Sequence, residues 1–139
     1  MKKIIIRILI GIVVVLFLFI GLFIVPYFTN TIMPWDRSNA IETTLLWGGL
    51  AELPDATENL NIETSGSMFT RTFILEFQLP QTELHEWLAR SKRLKDLTPT
   101  IQSDGTKLYE VYPGERRAMG GTVLINPRNG SVKIKMSWS

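Results

Sequence analysis

The chain has 139 residues, of which 15 are basic and 13 acidic, with one histidine and no cysteine. A composition that is 45% hydrophobic excludes long disordered or collagen-like segments. The lack of cysteine excludes disulfide scaffolds and cysteine-ligated zinc, and the length allows one domain besides a membrane segment.

The first predicted element is a membrane helix. The stretch from Ile8 to Phe28 holds 21 residues without a charge, mostly Ile, Val, Leu and Phe. At about 1.5 Å per residue it spans roughly 30 Å, the thickness of a bilayer's hydrocarbon core. A cleaved signal has a shorter apolar region and ends in a pair of small residues. No such pair follows Val25. We therefore predict an uncleaved signal-anchor, with late cleavage or a buried core helix as alternatives.

The residues beside this helix predict its orientation. Three basic residues precede or begin it, whereas Asp36 and Arg37, the first charges after it, cancel. The positive-inside bias places the N-terminus in the cytoplasm and everything after residue 30 outside it. Aromatic residues after the span fit an outer aromatic belt, although Trp35 could instead pack on the domain. The predicted anchoring residues are Lys2, Lys3, Arg7, Tyr27, Phe28 and Trp35.

We predict three parts along the chain: a basic flank and transmembrane helix over 1–28, a connector over 29–38, and an extracytoplasmic α+β domain over 39–139. Without the three basic residues of the first part, 12 basic residues face 13 acidic ones. The outer part therefore has no basic surplus for nucleic acid, and the bilayer is the first predicted partner.

Charge is segregated along the outer part. Residues 36–86 hold nine acids and two bases, whereas residues 87–139 hold ten bases and four acids. Either the two halves fold against each other and their charges interleave, or the domain has one acidic and one basic face. A dipolar domain of the second kind could dock on a charged partner or on anionic headgroups.

The outer domain is predicted to begin with a short helix over 40–47. Asn39 fits an N-cap, with Glu42 three residues later as in a capping box. Gly48 and Gly49 favour a helix end. The expected buried stripe consists of Ile41, Leu45 and Leu46.

Two strands are predicted next, over 59–64 and 68–79, joined by a hairpin loop over 64–67. The second has apolar residues at alternate positions from Phe69 to Leu79, which indicates one buried face. Arg71 stands on that apolar side. It is expected near the strand's end with its head in water, or else in a buried ion pair or ligand contact.

The second half predicts a helix, an irregular segment and about three strands. Leu84, Trp87 and Leu88 give the helix over 81–90 its apolar stripe. Asp104-Gly105 marks a turn within the irregular segment, and the strands cover 107–112, 121–126 and 131–138, with an Asn-Gly turn before the last. The fold class is therefore α+β, a small antiparallel sheet covered by helices on one face.

Several segments resemble a group of uncharacterised small bacterial proteins. They are the run Leu53 to Asn59, the aromatic strand from Phe69 to Phe77, the helix from Pro80 to Leu88, and the closing Met136-Ser137-Trp138-Ser139. The resemblance covers residues 50–139. In those proteins one membrane helix carries an outer domain, and the resemblance implies no activity and no functional residue.

The sequence offers little catalytic chemistry. His85 lies off the apolar stripe of its helix and is expected at the surface, so we predict no metal site, no cofactor and no catalytic residue. No phosphate-binding glycine motif occurs. Glu63 and Glu76 are the one carboxylate pair that could act on envelope glycan. We expect that Glu76 instead balances Lys133 and Lys135 on a neighbouring strand.

The sequence therefore favours a non-enzymatic envelope protein whose outer domain binds another protein or an envelope component. The alternatives are a membrane-tethered hydrolase that uses carboxylates and a small-ligand carrier. Empty volume beside Phe73 and Phe77 would favour the carrier, and a filled core would not. The residues predicted to contact a partner are Arg93, Lys95, Arg116, Arg117 and Arg128.

Overall fold

The protein is described here by a computed structural model that covers residues 2–67, 69–112 and 118–139. Its first element is the helix α1, Lys2–Phe28, which has mean hydropathy 3.5 over its most apolar window. By length and composition α1 is able to cross a membrane, as a membrane anchor or a signal sequence does. One wider, π-helical turn spans Ile20–Ile24. It lies just before Pro26, whose ring disfavours a regular helical turn.

The remaining elements form the predicted α+β domain. Within the described ranges the strands make one six-stranded sheet in the order β1-β2-β6-β5-β4-β3, and every pairing is antiparallel. In chain order the strands are β1 (Glu58–Gly66), β2 (Arg71–Gln78), β3 (Thr100–Ile101), β4 (Lys107–Val111), β5 (Ala118–Asn126) and β6 (Ser131–Trp138). The helices are α2 (Arg37–Gly48), α3 (Gln81–Arg90) and α4 (Lys92–Lys95). The predicted fold class is confirmed.

The core lies between one face of the sheet and the helices. Leu75, Ile134 and Val123 face each other across β2, β6 and β5, and all three are fully buried. Trp87 of α3 is also fully buried and packs edge-on against Phe77, with ring centres 5.5 Å apart. The alternation of apolar and polar residues along these strands produces this single buried face.

The opposite sheet face brings together charged residues from the two oppositely charged halves of the chain. β2 belongs to the acidic half and β6 to the basic half, and they are direct neighbours. Glu76 and Lys133 face each other in that register and form a 2.7 Å ion pair. The charges therefore interleave at this place, as the first of the two interpretations expects.

The predicted first helix of the domain needs correction at its start. α2 begins at Arg37, after Asp36, and not at Ala40, so Asn39 lies inside the helix and is not its N-cap. Leu46 was expected in the buried stripe but is exposed. The predicted end is confirmed, because Gly49 has the left-handed conformation (φ 61°) that closes a helix.

The strand boundaries also differ in the first hairpin. β1 continues to Gly66 and β2 begins only at Arg71, so the loop predicted at 64–67 and the strand start at 68 are both wrong. Phe69 consequently lies in the turn rather than on the buried face. The irregular segment after α3 contains the two-residue strand β3, which the sequence pattern did not predict. The bounds of α3 and β6 and the turn at Gly105 (φ 85°) are confirmed.

Candidate functional site

Arg71 attaches the end of α1 to the sheet. Arg71, the first residue of β2, places its guanidinium carbon 4.3 Å from the centre of the Tyr27 ring. Its Nη2 donates a hydrogen bond of 3.2 Å to the Tyr27 carbonyl. A cation over an aromatic ring and a charged donor on a helix carbonyl are both attractive contacts. Arg71 therefore lies at the strand's end, as expected, and fixes the domain beside the last turn of α1.

The chain turns sharply between α1 and the domain. Asn30 has a left-handed backbone (φ 55°), and the Thr31 N–H donates to the Pro26 carbonyl at 3.0 Å. The Thr29 hydroxyl donates to the Val25 carbonyl at 3.0 Å, so polar groups satisfy the last carbonyls of α1. Arg37 then binds the Leu60 carbonyl at 2.6 Å and holds the start of α2 against β1.

A cleft of about 370 Å³ lies at this junction. One wall is a helical row on and just before α2, with Asp36, Ala40, Thr43 and Trp47 spaced at three and four residues, so that they share one side of the helix. The complete lining is Tyr27, Thr31, Ile32, Asp36, Asn39, Ala40, Thr43, Trp47, Arg71, Phe73 and Trp138. Residues from the connector, α2, β2 and β6 thus meet where the apolar helix ends.

The inner wall of the cleft is aromatic. Trp47 lies 5.5 Å from Phe73 and 6.4 Å from Trp138 between ring centres, and the two indoles are nearly parallel at 17°. All three side chains are only partly buried, so part of each remains accessible from the cleft. Asn39, Thr43 and Asp36 add amide, hydroxyl and carboxylate groups to the same cleft. The cleft therefore combines an apolar wall with polar groups, an arrangement that suits an amphiphilic molecule.

This cleft bears on the small-ligand alternative. Empty volume is present beside Phe73, whereas Phe77 is 2% exposed and packs against Trp87. The aromatic strand is thus a pocket wall at the end near α1 and part of a filled core further along. In the sequence, the feature that indicated an unusual contact here was a charged residue, Arg71, on the apolar side of the strand. Its partner Tyr27 lies 44 residues earlier in the chain.

The described partner-binding candidates lie on two elements of the fold. Arg93 is on α4, and its backbone N–H donates to the Gly49 carbonyl at 3.2 Å. Lys95 is exposed on the same short helix, whereas Arg128 is exposed in the turn between β5 and β6, with its guanidinium beside Gly105. Arg116 and Arg117 lie outside the described residues.

The predicted anchoring residues are placed as follows. Lys2, Lys3 and Arg7 are exposed on the first turns of α1, and Phe28 is exposed at its end. Trp35 is 58% exposed, so the alternative that it packs on the domain is not supported. Tyr27 takes part in the junction with Arg71 as well as lying at the helix end.

The two candidate catalytic carboxylates share a sheet face but not a hollow. Asn61 faces Glu76 and Glu63 faces Ile74 in the register of β1 and β2, so the two acids are diagonal neighbours. Glu76 pairs with Lys133, and the ion pair raises the pKa of that lysine. Glu63 lines a hollow beside the connector, whereas Glu76 lines another one beside β6.

The remaining candidates for chemistry are at the surface. His85 is exposed as predicted, and its Nδ1 donates to the Gln81 carbonyl at 2.6 Å. Among residues 2–67, 69–112 and 118–139 there is no cluster of three or more histidine or acidic residues that could hold a metal ion. Comparison with known proteins finds no matching family model, no matching curated protein and no matching solved structure.

Proposed function

We propose that this chain is a non-enzymatic, membrane-anchored envelope protein whose α+β domain lies outside the cytoplasm and binds an envelope component. The observation that carries the proposal is the aromatic cleft at the junction of α1 and the domain. The basic residues Lys2, Lys3 and Arg7 before the apolar span support a cytoplasmic N-terminus. The Glu76–Lys133 ion pair supports a role for Glu76 in sheet pairing rather than in catalysis.

The position of the cleft suggests the chemistry of its occupant. Tyr27 is the penultimate residue of the apolar helix and lines the cleft, so the cleft opens at the depth where bilayer headgroups begin. An amphiphile of the bilayer reaches such a site without passing through water. Its apolar part would lie on Trp47, Phe73 and Trp138, and its polar part beside Asn39 and Thr43. We therefore propose a membrane amphiphile, such as a phospholipid, as the envelope component.

Photo-crosslinking from the bilayer tests this assignment. The full chain is reconstituted into phosphatidylglycerol–phosphatidylethanolamine vesicles with a trace of phospholipid that carries a diazirine beside its glycerol. After irradiation, mass spectrometry maps the labelled peptides. We expect label on the peptide that contains Asn39 to Trp47, because that side of α2 lines the cleft.

Two tryptophan variants make the test specific. Thr43→Trp fills the cleft and should remove most of the label from this peptide. Leu46→Trp adds the same ring to the same helix at an exposed position outside the cleft, and should keep the label. Circular dichroism checks that both variants keep their secondary structure. Equal labelling in the two variants, or no label on α2 in the parent chain, would contradict the assignment.

A further inference from the structure

Phe69 is the most exposed large hydrophobic side chain of the described residues. It lies in the turn between β1 and β2 and is 78% exposed, more than Phe17 on the apolar helix, at 70%. The turn is held by local bonds, with the Ser67 N–H donating to the Thr70 carbonyl at 2.8 Å and the Phe69 N–H donating to the Ser67 hydroxyl at 3.3 Å. This closed turn presents the phenyl ring to its surroundings.

The turn lies beside the end of the membrane helix. Phe69 is two residues before Arg71, whose guanidinium covers the Tyr27 ring. Two extended residues reach at most about 7 Å, so the Phe69 backbone lies within that distance of the Arg71 backbone, whose side chain contacts the last turn of α1. The same end of the sheet contains a further exposed apolar residue: Arg71 pairs with Trp138, Trp138 pairs with Ala118, and Met119 follows at 57% exposed.

The turn between β1 and β2 differs in charge from the turns at the opposite end of the sheet. No charged residue lies between Gly66 and Arg71 in the sequence, whereas the turns at the opposite end contain Asp104 and Arg128. Exposed aromatic residues are favoured at the boundary between hydrocarbon and headgroups, so a turn that presents a phenylalanine suits this boundary. The uncharged turn between β1 and β2 is thus at the sheet end attached to α1, whereas the turns that contain Asp104 and Arg128 are at the other end.

We infer that the turn between β1 and β2 is a second membrane contact, with the Phe69 ring inserted between the headgroups of the leaflet that α1 leaves. The inference rests on the proposed anchoring by α1. The occupant of this surface is the bilayer itself, because α1 and the turn are joined through Arg71 and Tyr27. Two contacts, one on α1 and one on the sheet, fix the tilt of the domain and keep the cleft facing the lipid.

Single cysteine labels test the inference directly, because the chain contains no cysteine of its own. Three variants of the full chain are labelled with an environment-sensitive nitrobenzoxadiazole dye and reconstituted into vesicles: Phe69→Cys, Ile101→Cys and Val15→Cys. Ile101 is the matched control, since it is 69% exposed on β3, at the sheet end opposite to Arg71. Val15 lies in the middle of α1 and reports whether the helix is in the bilayer.

The dye at Phe69 should show blue-shifted emission and lose intensity when lipids carry a nitroxide near the headgroup. The dye at Ile101 should show neither change. Val15 is read with lipids that carry a nitroxide deep in the acyl chains. If these lipids quench Val15 but Phe69 behaves like Ile101, the inference is wrong and the anchoring stands. A blue shift at Phe69 without quenching by the headgroup nitroxide also overturns the inference, since a second copy of the chain would then cover this position. A Val15 dye that the deep nitroxide does not quench overturns the anchoring itself.

Discussion

Replacing Trp87 by alanine removes the bulkiest of the fully buried side chains in the described core. The indole contributes in two ways, since its ring packs edge-on against Phe77 and its Nε1 donates to the Ala51 carbonyl at 3.1 Å. Truncation of a buried tryptophan to alanine costs about 3–5 kcal/mol. Trp87→Phe retains an aromatic ring but leaves the Ala51 carbonyl without this donor, a loss of about 1–3 kcal/mol.

Urea unfolding of the full chain in mild detergent measures both losses, with near-ultraviolet circular dichroism reporting on the packing of the domain. Trp35→Ala is the matched control, because Trp35 is more than half exposed and its loss should change the free energy of unfolding by no more than about 0.5 kcal/mol. The reasoning fails if Trp87→Ala costs no more than Trp35→Ala. It also fails if Trp87→Phe lowers the free energy of unfolding as much as Trp87→Ala does, since ring packing would then contribute nothing to stability.

Two further predictions concern the polar sheet face and a turn. Glu76→Gln should lower the pKa of Lys133 towards its ordinary value, because the Glu76 ion pair raises it; nuclear magnetic resonance titration of the lysine ammonium measures this, and an unchanged pKa would refute it. In the parent chain this ion pair stabilises the folded state at pH values below the ordinary lysine pKa. The stabilisation is lost as the pH rises through the raised pKa of Lys133. Gly130→Ala should destabilise the domain by at least about 1 kcal/mol in urea unfolding, because Gly130 has φ 72° and an added Cβ would clash with the Leu79 carbonyl oxygen. Gly11→Ala, with open space around it in α1, is the control and should not destabilise the protein; equal losses would contradict the prediction.

The elements with strong local patterns were predictable from the sequence. β6 alternates apolar and polar residues from Ser131 to Trp138, and α3 has its apolar residues at helical spacing after Pro80, which favours a helix start. In both cases the pattern coincides with one buried face. The sequence therefore predicts the bounds of these elements as well as their type.

Boundaries set by tertiary contacts were not predictable in the same way. The spacing of Asn39 and Glu42 imitates a capping box, but α2 starts at Arg37, where the side chain is held by the distant Leu60 carbonyl. β3 consists of two residues that pair with β4, too short for any periodic pattern. Neither the Arg37–Leu60 hydrogen bond nor the pairing of β3 with β4 can be inferred from neighbouring residues in the sequence.

The cleft, too, is formed by tertiary contacts and could not be predicted from local sequence patterns. Its lining is drawn from residues 27 to 138, and no local motif contains them together. One sequence signal pointed there, the charge of Arg71 on an otherwise apolar strand face. The partner of that charge is the Tyr27 ring at the end of α1, which a search for ion pairs or catalytic motifs does not consider.

The most direct test of the account uses Arg128→Cys in living cells. Arg128 is exposed in a turn at the sheet end far from α1, and the chain has no other cysteine. A membrane-impermeant maleimide should label this variant in intact cells, and the labelled chain should stay in the membrane fraction with its first thirty residues. Labelling that appears only after the cells are permeabilised, or a soluble chain that lacks α1, would contradict an anchored domain facing outward.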